Sequence, residues 1–143
     1  MKKIINDPHD VVPEMVDGMT RSYPQYIEKI EGTEAVVRAD KASMKDRVGI
    51  ISGGGSGHEP THAGFVGDGM LSAAVCGQVF TSPTPDQIYA AIKAVNQGKG
   101  VFMVVKIYSG DAMTFDMAKD LASMDNIPVK SFVVDDDIAV ENS

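Results

Sequence analysis

Residues 47–60 read Arg47-Val-Gly-Ile-Ile-Ser-Gly-Gly-Gly-Ser-Gly-His-Glu-Pro60. The apolar run up to Ser52 predicts a strand, and the four glycines that follow within five residues predict a tight loop at its carboxyl end. Four glycines so close together carry a large entropic cost, which a close approach between backbone and ligand would justify. We interpret the run as a Gly-rich turn that delivers His58 to a site.

Other short apolar runs flank this stretch. Residues 34–38 form one, and near-continuous runs recur at residues 47–52, 71–76, 101–105 and 129–134. Strands buried on both faces have this composition, as in a parallel sheet covered by helices.

Helical patterns lie around and between these runs. Asp7-Pro8 resembles a helix start, followed by one apolar face with helical spacing: Val12, Met15, Val16 and Met19. Thr84-Pro85-Asp86-Gln87 resembles a capping box, and the apolar face after it comprises Ile88, Ala91, Ile92 and Val95. Asp111 opens a further helix, whose expected core stripe comprises Met113, Met117, Leu121 and Met124.

Alternating strands and helices predict an α/β fold. We expect a parallel or mostly parallel sheet with helices on both faces. In such sheets ligands bind beyond the carboxyl ends of the strands. Two loops therefore become candidate sites, one after Ile51 and one after Val105.

The glycine run does not match the familiar nucleotide or hydrolase motifs. The dinucleotide pattern G-x-G-x-x-G fails on its last glycine, and the hydrolase elbow G-x-S-x-G needs glycine where His58 stands. A P-loop needs Gly-Lys-Ser/Thr, which is absent from the sequence. Histidine can donate, accept or shuttle a proton near neutral pH, so we favour a functional His58 over one that merely caps the turn.

A metal site is disfavoured. His62 could share a helical face with His58, but no third ligand stands at a recognisable spacing. Asp135, Asp136 and Asp137 follow the last apolar run, and we expect them to form a solvated cap or loop. We expect His9, on the leading helix, to face solvent.

The second candidate loop carries opposite charges. Lys106 ends a very apolar strand, so its ammonium should emerge at the sheet's carboxyl edge. Asp111 has two interpretations, the N-cap of the next helix or a functional carboxylate, and spacing alone slightly favours the cap. Lys106, Asp111 and His58 on neighbouring strand ends could together bind a small polyhydroxylated or carbonyl compound.

Composition narrows the possible partners and compartment. Thirteen basic and twenty acidic residues give a net charge of −7, which disfavours nucleic-acid binding. The single cysteine, Cys76, excludes an internal disulfide and is expected in the core. The start lacks a signal peptide's apolar stretch, and no window is apolar enough to span a membrane. We therefore expect a cytoplasmic protein.

Several motifs in order resemble one family, the dihydroxyacetone kinase substrate-binding subunit (DhaK). The resemblance runs from about Ile5 to Ser143 and rests on the glycine run followed by further motifs: Gly69-Met-Leu71, Phe80-Thr-Ser-Pro-Thr-Pro-Asp86, Lys106-x-Tyr108-x-Gly110-Asp111 and Asp135-Asp-Asp137. It implies that residues 1–143 are the N-terminal part of a larger dihydroxyacetone-binding domain.

The family resemblance also implies roles for individual residues. Substrate-binding residues would be Gly55, Ser56, Gly57, His58, Lys106 and Asp111. Asp111 would be the base for the hydroxyl, and His58 would polarise the carbonyl. The resemblance implies that this chain binds no cofactor itself. ADP or ATP with Mg²⁺ would sit on a partner subunit or another domain. The expected partners are a nucleotide-binding kinase subunit (DhaL-type) and a phosphotransferase-system donor (DhaM-type), and a homo-oligomeric assembly is expected.

Two departures from the family keep a second function open. Family members carry a later histidine that binds the substrate covalently, and neither His9 nor His62 matches its motif. The usual polar residue after the lysine is Ile107 here. The alternative is a non-catalytic relative that senses dihydroxyacetone or acts as a transcriptional coactivator.

Overall fold

A computed structural model describes residues 2–136 of the chain. Its helices are α1 (Val11–Ser22), α2 (Pro85–Val95) and α3 (Ser109–Met124). Its strands are β1 (Ile27–Lys29), β2 (Ala35–Arg38), β3 (Gly49–Ser56), β4 (Ala73–Val79), β5 (Val101–Lys106) and β6 (Val129–Val134). Within this described part, no helix is long and apolar enough to cross a membrane.

The six strands form one mixed sheet in the order β1-β2-β4-β3-β5-β6. The neighbours from β4 to β6 pair in parallel. These four strands correspond to the four near-continuous apolar runs, so the mostly parallel sheet is confirmed. The β1–β2 and β2–β4 pairs are antiparallel. Strand β1 was not predicted.

Helices cover both faces of the sheet, as expected. Side chains alternate along each strand, so Val75 packs with α2 and α3 while its neighbour Cys76 packs with α1. Cys76 is 7% exposed, which confirms the predicted core cysteine, and this burial raises the pKa of its thiol to about 12. Helix α1 contacts β1, β2 and β4. Beyond α1 on that same face, Phe102 and Phe132 remain exposed.

The apolar faces predicted for α1 and α2 are confirmed. Val12 and Val16 of α1 are fully buried, and His9 is exposed as expected. Helix α1 begins at Val11 rather than after Asp7, which places Pro13 in the first turn, where proline is tolerated. All four predicted α2 residues are buried.

The capping-box bonds predicted for α2 are absent. Thr84 is the N-cap residue but makes no side-chain capping hydrogen bond. The Gln87 side-chain oxygen instead accepts a bond of 3.0 Å from the Glu34 backbone N–H. The four-residue pattern therefore marks the helix start correctly, while Gln87 ties α2 to the start of β2.

The methionine stripe predicted for the core of α3 is wrong. Met113, Met117 and Met124 are 61%, 51% and 75% exposed. The buried face consists instead of Asp111, Phe115, Ala118 and Ala122. Both sets have helical spacing, but the small alanines let α3 pack closely against the sheet and α2. This rotation of the helix also turns Asp111 inward.

Candidate functional site

The carboxyl ends of β3 and β5 meet in an open cleft of about 680 Å³. The residues that line it include Gly55, His58, Phe80, Lys106, Tyr108 and Asp111. They come from the end of β3, the loop after β4 and the junction between β5 and α3. This is the edge at which a parallel sheet binds its ligands.

The glycine run is part of a strand, not the loop that the sequence suggested. Strand β3 continues through Ser56. A Cβ atom added at Gly53 would lie 2.6 Å from the Val75 carbonyl oxygen, and one at Gly55 would lie 2.6 Å from the Thr81 backbone nitrogen. Because no side chain fits at these positions, the neighbouring strand and loop pack directly on the β3 backbone.

Gly54 lies against the charged side chains Lys106 and Asp111. A Cβ atom there would lie 2.5 Å from the Lys106 Nζ and 3.3 Å from the Asp111 Oδ2. The missing side chain therefore leaves the room that the Lys106 ammonium occupies. The ammonium also lies 5.3 Å from the ring centroid of Tyr108, within cation–π range.

Asp111 is a buried carboxylate at the start of α3. It is 2% exposed, and its Oδ2 lies 3.6 Å from the Lys106 Nζ. Its Oδ1 has no hydrogen-bond partner within residues 2–136. The N-cap interpretation is wrong, because Tyr108 holds that position and Asp111 lies in the first turn. The helix N-terminus favours a negative charge there, but a buried oxygen without a donor is costly.

Ser56 and Gly57 make internal hydrogen bonds. The buried Ser56 hydroxyl donates to the Gly77 carbonyl at 2.7 Å. The Gly57 N–H donates to the Glu59 carboxylate at 3.0 Å. Of the predicted β3-end residues, Gly55 and His58 line the cleft, while the Ser56 side chain is bonded to β4.

The two later histidines lie close to the same charges. His58 is exposed, and its ring meets the Phe80 ring edge-on, with 5.4 Å between ring centroids. His62 is half-buried in the turn before a short 3-10 helix, Ala63–Phe65, so the two do not share an α-helical face. Burial, with help from the Lys106 charge, lowers the pKa of His62 to about 4.

The described residues contain no group of three or more His, Cys, Asp or Glu that could hold a metal ion. Asp135 and Asp136 are exposed after β6, in agreement with a solvated loop. Asp137 lies outside the described residues.

Known proteins share this sequence and fold. Residues 17–143 match the Dak1 domain. The chain belongs to the Dak1 domain family. This confirms the resemblance found in the glycine run and the motifs that follow it.

Among Dak1 relatives, the PTS-dependent dihydroxyacetone kinase 1, dihydroxyacetone-binding subunit DhaK, of Listeria innocua is 60% identical over the whole of this chain. The chain spans 43% of that relative's length. The crystal structure of the dihydroxyacetone kinase from C. freundii, in complex with AMP-PNP and Mg²⁺, matches 99% of this chain. The TM-score is 0.89 at 38% identity, over 27% of the crystallised chain.

A second solved relative carries a different description. The dihydroxyacetone kinase operon co-activator Dha-DhaQ matches 89% of this chain with a TM-score of 0.80 at 42% identity, over 38% of its own length. The fold is thus common to proteins described as kinases and as a co-activator.

This Dak1 chain brings four of the six predicted residues to one cleft: Gly55, His58, Lys106 and Asp111. Sequence reasoning gave no role to Phe80, which entered only within a family motif, and weighed His62 only as a metal ligand. Neither residue has a local pattern that predicts its place in the fold. His62's neighbours were not visible in the sequence, and Phe80 lies four residues beyond the predicted strand at 71–76, so only the observed end of β4 at Val79 places it at a strand end.

Proposed function

We propose that this chain binds dihydroxyacetone and presents it for phosphorylation to dihydroxyacetone phosphate. In this role residues 1–143 are the N-terminal part of the dihydroxyacetone-binding domain of a kinase. The observation that carries the proposal is the unpartnered Oδ1 of Asp111, buried beside Lys106 at the cleft. A substrate hydroxyl is a donor of the right size to satisfy this oxygen.

The arrangement supports a base-assisted transfer. The substrate hydroxyl donates to Asp111, which takes its proton as the hydroxyl oxygen attacks the donor phosphorus. The bond from phosphorus to the donor breaks, and the phosphoryl group passes to the substrate. Lys106 supplies positive charge beside the reacting hydroxyl, and positioning of this kind provides much of the rate in phosphoryl transfer.

The other end of the substrate is assigned to the β3 side. The exposed His58 ring binds and polarises the carbonyl oxygen, since imidazole can donate a hydrogen bond to it. Gly55 borders the cleft without a side chain and lets the small ketone approach the backbone. Ser56 and Gly57 contribute through the backbone, because the Ser56 hydroxyl is already bonded to Gly77.

The phosphoryl donor belongs to a partner in this proposal. No P-loop Gly-Lys-Ser/Thr occurs in residues 1–143, and ADP or ATP with Mg²⁺ is assigned to a partner subunit or another domain. The Listeria innocua relative is described as PTS-dependent, which supports a phosphotransferase-system protein as the ultimate donor. Both partners would approach the open mouth of the cleft.

A second candidate function is dihydroxyacetone sensing by a transcriptional coactivator. Ile107 favours it, because an apolar, 44% exposed side chain replaces the polar residue expected after Lys106. The similarity to the Dha-DhaQ co-activator also supports it. Both functions require ligand binding, and they differ in turnover.

The test combines calorimetry with a transfer assay. Dihydroxyacetone is titrated into the protein, with glycerol, which lacks the carbonyl, as the matched control ligand. Phosphate transfer is then measured with a nucleotide-binding subunit and a phosphotransferase donor from a related kinase. Selective binding with transfer supports the kinase subunit, and binding without transfer supports the sensor. Failure to distinguish dihydroxyacetone from glycerol would contradict both.

A further inference from the structure

Phe80 is an exposed aromatic residue in an unfavourable backbone conformation. It directly follows β4, has φ +52° and is 73% exposed. A bulky residue rarely adopts positive φ, because this conformation is sterically strained. Since so exposed a ring buries little apolar surface, core packing does not explain why phenylalanine occupies this position.

The contacts of Phe80 are concentrated on the end of β3. Its backbone N–H donates to the Ser56 carbonyl at 2.8 Å. Its ring lies over Gly57, where an added Cβ atom would be 2.9 Å from the ring Cε1. Its ring also meets the His58 imidazole at a 74° interplanar angle. One residue thus contacts three consecutive residues that end at His58.

The edge-on contact between the Phe80 and His58 rings has a preferred direction. Aromatic pairs with centroids 4.5–7 Å apart favour such T-shaped arrangements, and the observed separation is 5.4 Å. No hydrogen bond of the His58 side chain is seen within residues 2–136, and the Phe80 ring packs against the imidazole. The glycine at position 57 is what permits this approach, because any side chain there would meet the ring.

We propose that Phe80 is a positioning residue that holds the His58 imidazole in its orientation toward the cleft. The inference rests on the proposed function, in which His58 binds the substrate carbonyl. The positive φ places the Phe80 ring against His58 and Gly57. The ring also forms an apolar wall of the cleft beside the carbonyl end of the substrate.

The test uses Phe80→Leu, which keeps apolar bulk but removes the ring, and Phe80→Tyr, which keeps the ring. The first readout is the NMR chemical shift of the His58 ring protons, which senses the neighbouring ring without any ligand. The second is the dissociation constant for dihydroxyacetone. Phe132→Leu is the matched control, because Phe132 is also exposed (59%) but lies on β6.

Phe80→Leu is expected to shift the His58 ring signals and to weaken dihydroxyacetone binding about threefold to tenfold. Phe80→Tyr should restore both, and Phe132→Leu should change neither. The midpoint of urea unfolding should stay close to the native value, because the Phe80 side chain is mostly exposed. Unchanged His58 signals in Phe80→Leu would overturn the proposal even if binding weakened.

The experiment distinguishes failure of the proposed dihydroxyacetone binding from failure of the proposed role of Phe80. If the native protein did not bind dihydroxyacetone while Phe80→Leu still shifted the His58 signals, the contact would stand and the assigned ligand would be wrong. If the native protein bound and Phe80→Leu bound equally well, Phe80 would have no positioning role.

Discussion

The two strand ends that meet in the cleft differ in how they are built. At the end of β3, Gly53 and Gly55 have no room for a side chain, because the backbone of β4 and its following loop lies against them. At the end of β5, Lys106 and Asp111 bring opposite charges together, one of them almost fully buried. The first half supplies shape and the second supplies reactive groups. Substitutions in the two halves should therefore fail in different ways.

The largest effect is expected at Asp111, in the charged half. Asp111→Asn keeps the side-chain size but removes the base, so phosphate transfer should fall about 10²- to 10⁴-fold. Dihydroxyacetone affinity should stay within about threefold, as measured by calorimetry. Asp116→Asn is the control, because Asp116 lies exposed on the same helix. Transfer within tenfold of the native rate would refute the role of Asp111 as base.

The adjacent residues Gly53 and Gly54 face different neighbours, so alanine should have different effects at the two positions. In Gly53→Ala the new methyl group would meet the Val75 carbonyl, so the free energy of unfolding should drop by about 1–3 kcal/mol. In Gly54→Ala it would meet the flexible end of Lys106, which can move aside. Stability should then be nearly kept, while dihydroxyacetone affinity falls about tenfold through the displaced ammonium. Urea unfolding and calorimetry on both variants check this, and equal loss of stability would contradict it.

Removing the Lys106 ammonium tests the cationic partner of Asp111. Lys106→Met keeps the length of the side chain but removes the ammonium. Dihydroxyacetone affinity should fall about tenfold, because the charged hydrogen bond from Lys106 to the ligand is lost. Lys130→Met, at an exposed position on β6, should bind normally. Combining Gly54→Ala with Lys106→Met should cost little more than Lys106→Met alone. Additive losses in calorimetry would mean that Gly54 does not act through Lys106.

The smallest expected effect is on stability and comes from His62. Besides burial, its pKa is influenced by Lys106 and Asp111 at the β5 end and by His58 after β3. Its pKa is lowered to about 4 in the folded protein, so between about pH 6.5 and 4 the unfolded chain binds the extra proton and the folded one does not. The contribution of His62 to the free energy of unfolding is therefore fully retained above pH 6.5 and falls as the pH drops toward 4, because protonating His62 favours the unfolded chain. Allowing for the partial exposure of His62, the loss is on the order of 1 kcal/mol.

Urea unfolding at pH 7.5 and pH 5 would measure this loss. The difference between the two pH values should shrink in His62→Gln and stay unchanged in His9→Gln, since His9 is exposed. A native-like pH dependence in His62→Gln would mean that another group is responsible.

The sequence predicts the parallel part of the sheet well. The run that became β4 is apolar on both faces because α1 packs on one side and α2 and α3 pack on the other. Strands β5 and β6 are covered on the α2 and α3 side only, and their Phe102 and Phe132 are exposed on the opposite face. Strand β1 escapes prediction because three residues carry no periodicity. The extension of β3 to Ser56 was not predicted, because glycine is unfavourable in strands. Glycine is needed there because β4 and the loop after it approach the β3 backbone closely.

The site residues were predicted unevenly for similar reasons. Lys106 follows directly from its place at the end of an apolar strand. The inward orientation of Asp111 depends on which of two equally spaced stripes of α3 is buried, and sequence reasoning chose the methionines over Phe115, Ala118 and Ala122. The neighbours of His62 depend on the path of the loop after β3, for which the sequence holds no periodic signal.

The central claim is that both strand ends bind one small ketone. An amide NMR titration with dihydroxyacetone tests this without any substitution. Signals of Gly55 and His58 on one side and of Lys106 and Asp111 on the other should move together, with one dissociation constant. Movement at only one strand end, or at residues away from the cleft, would contradict the account.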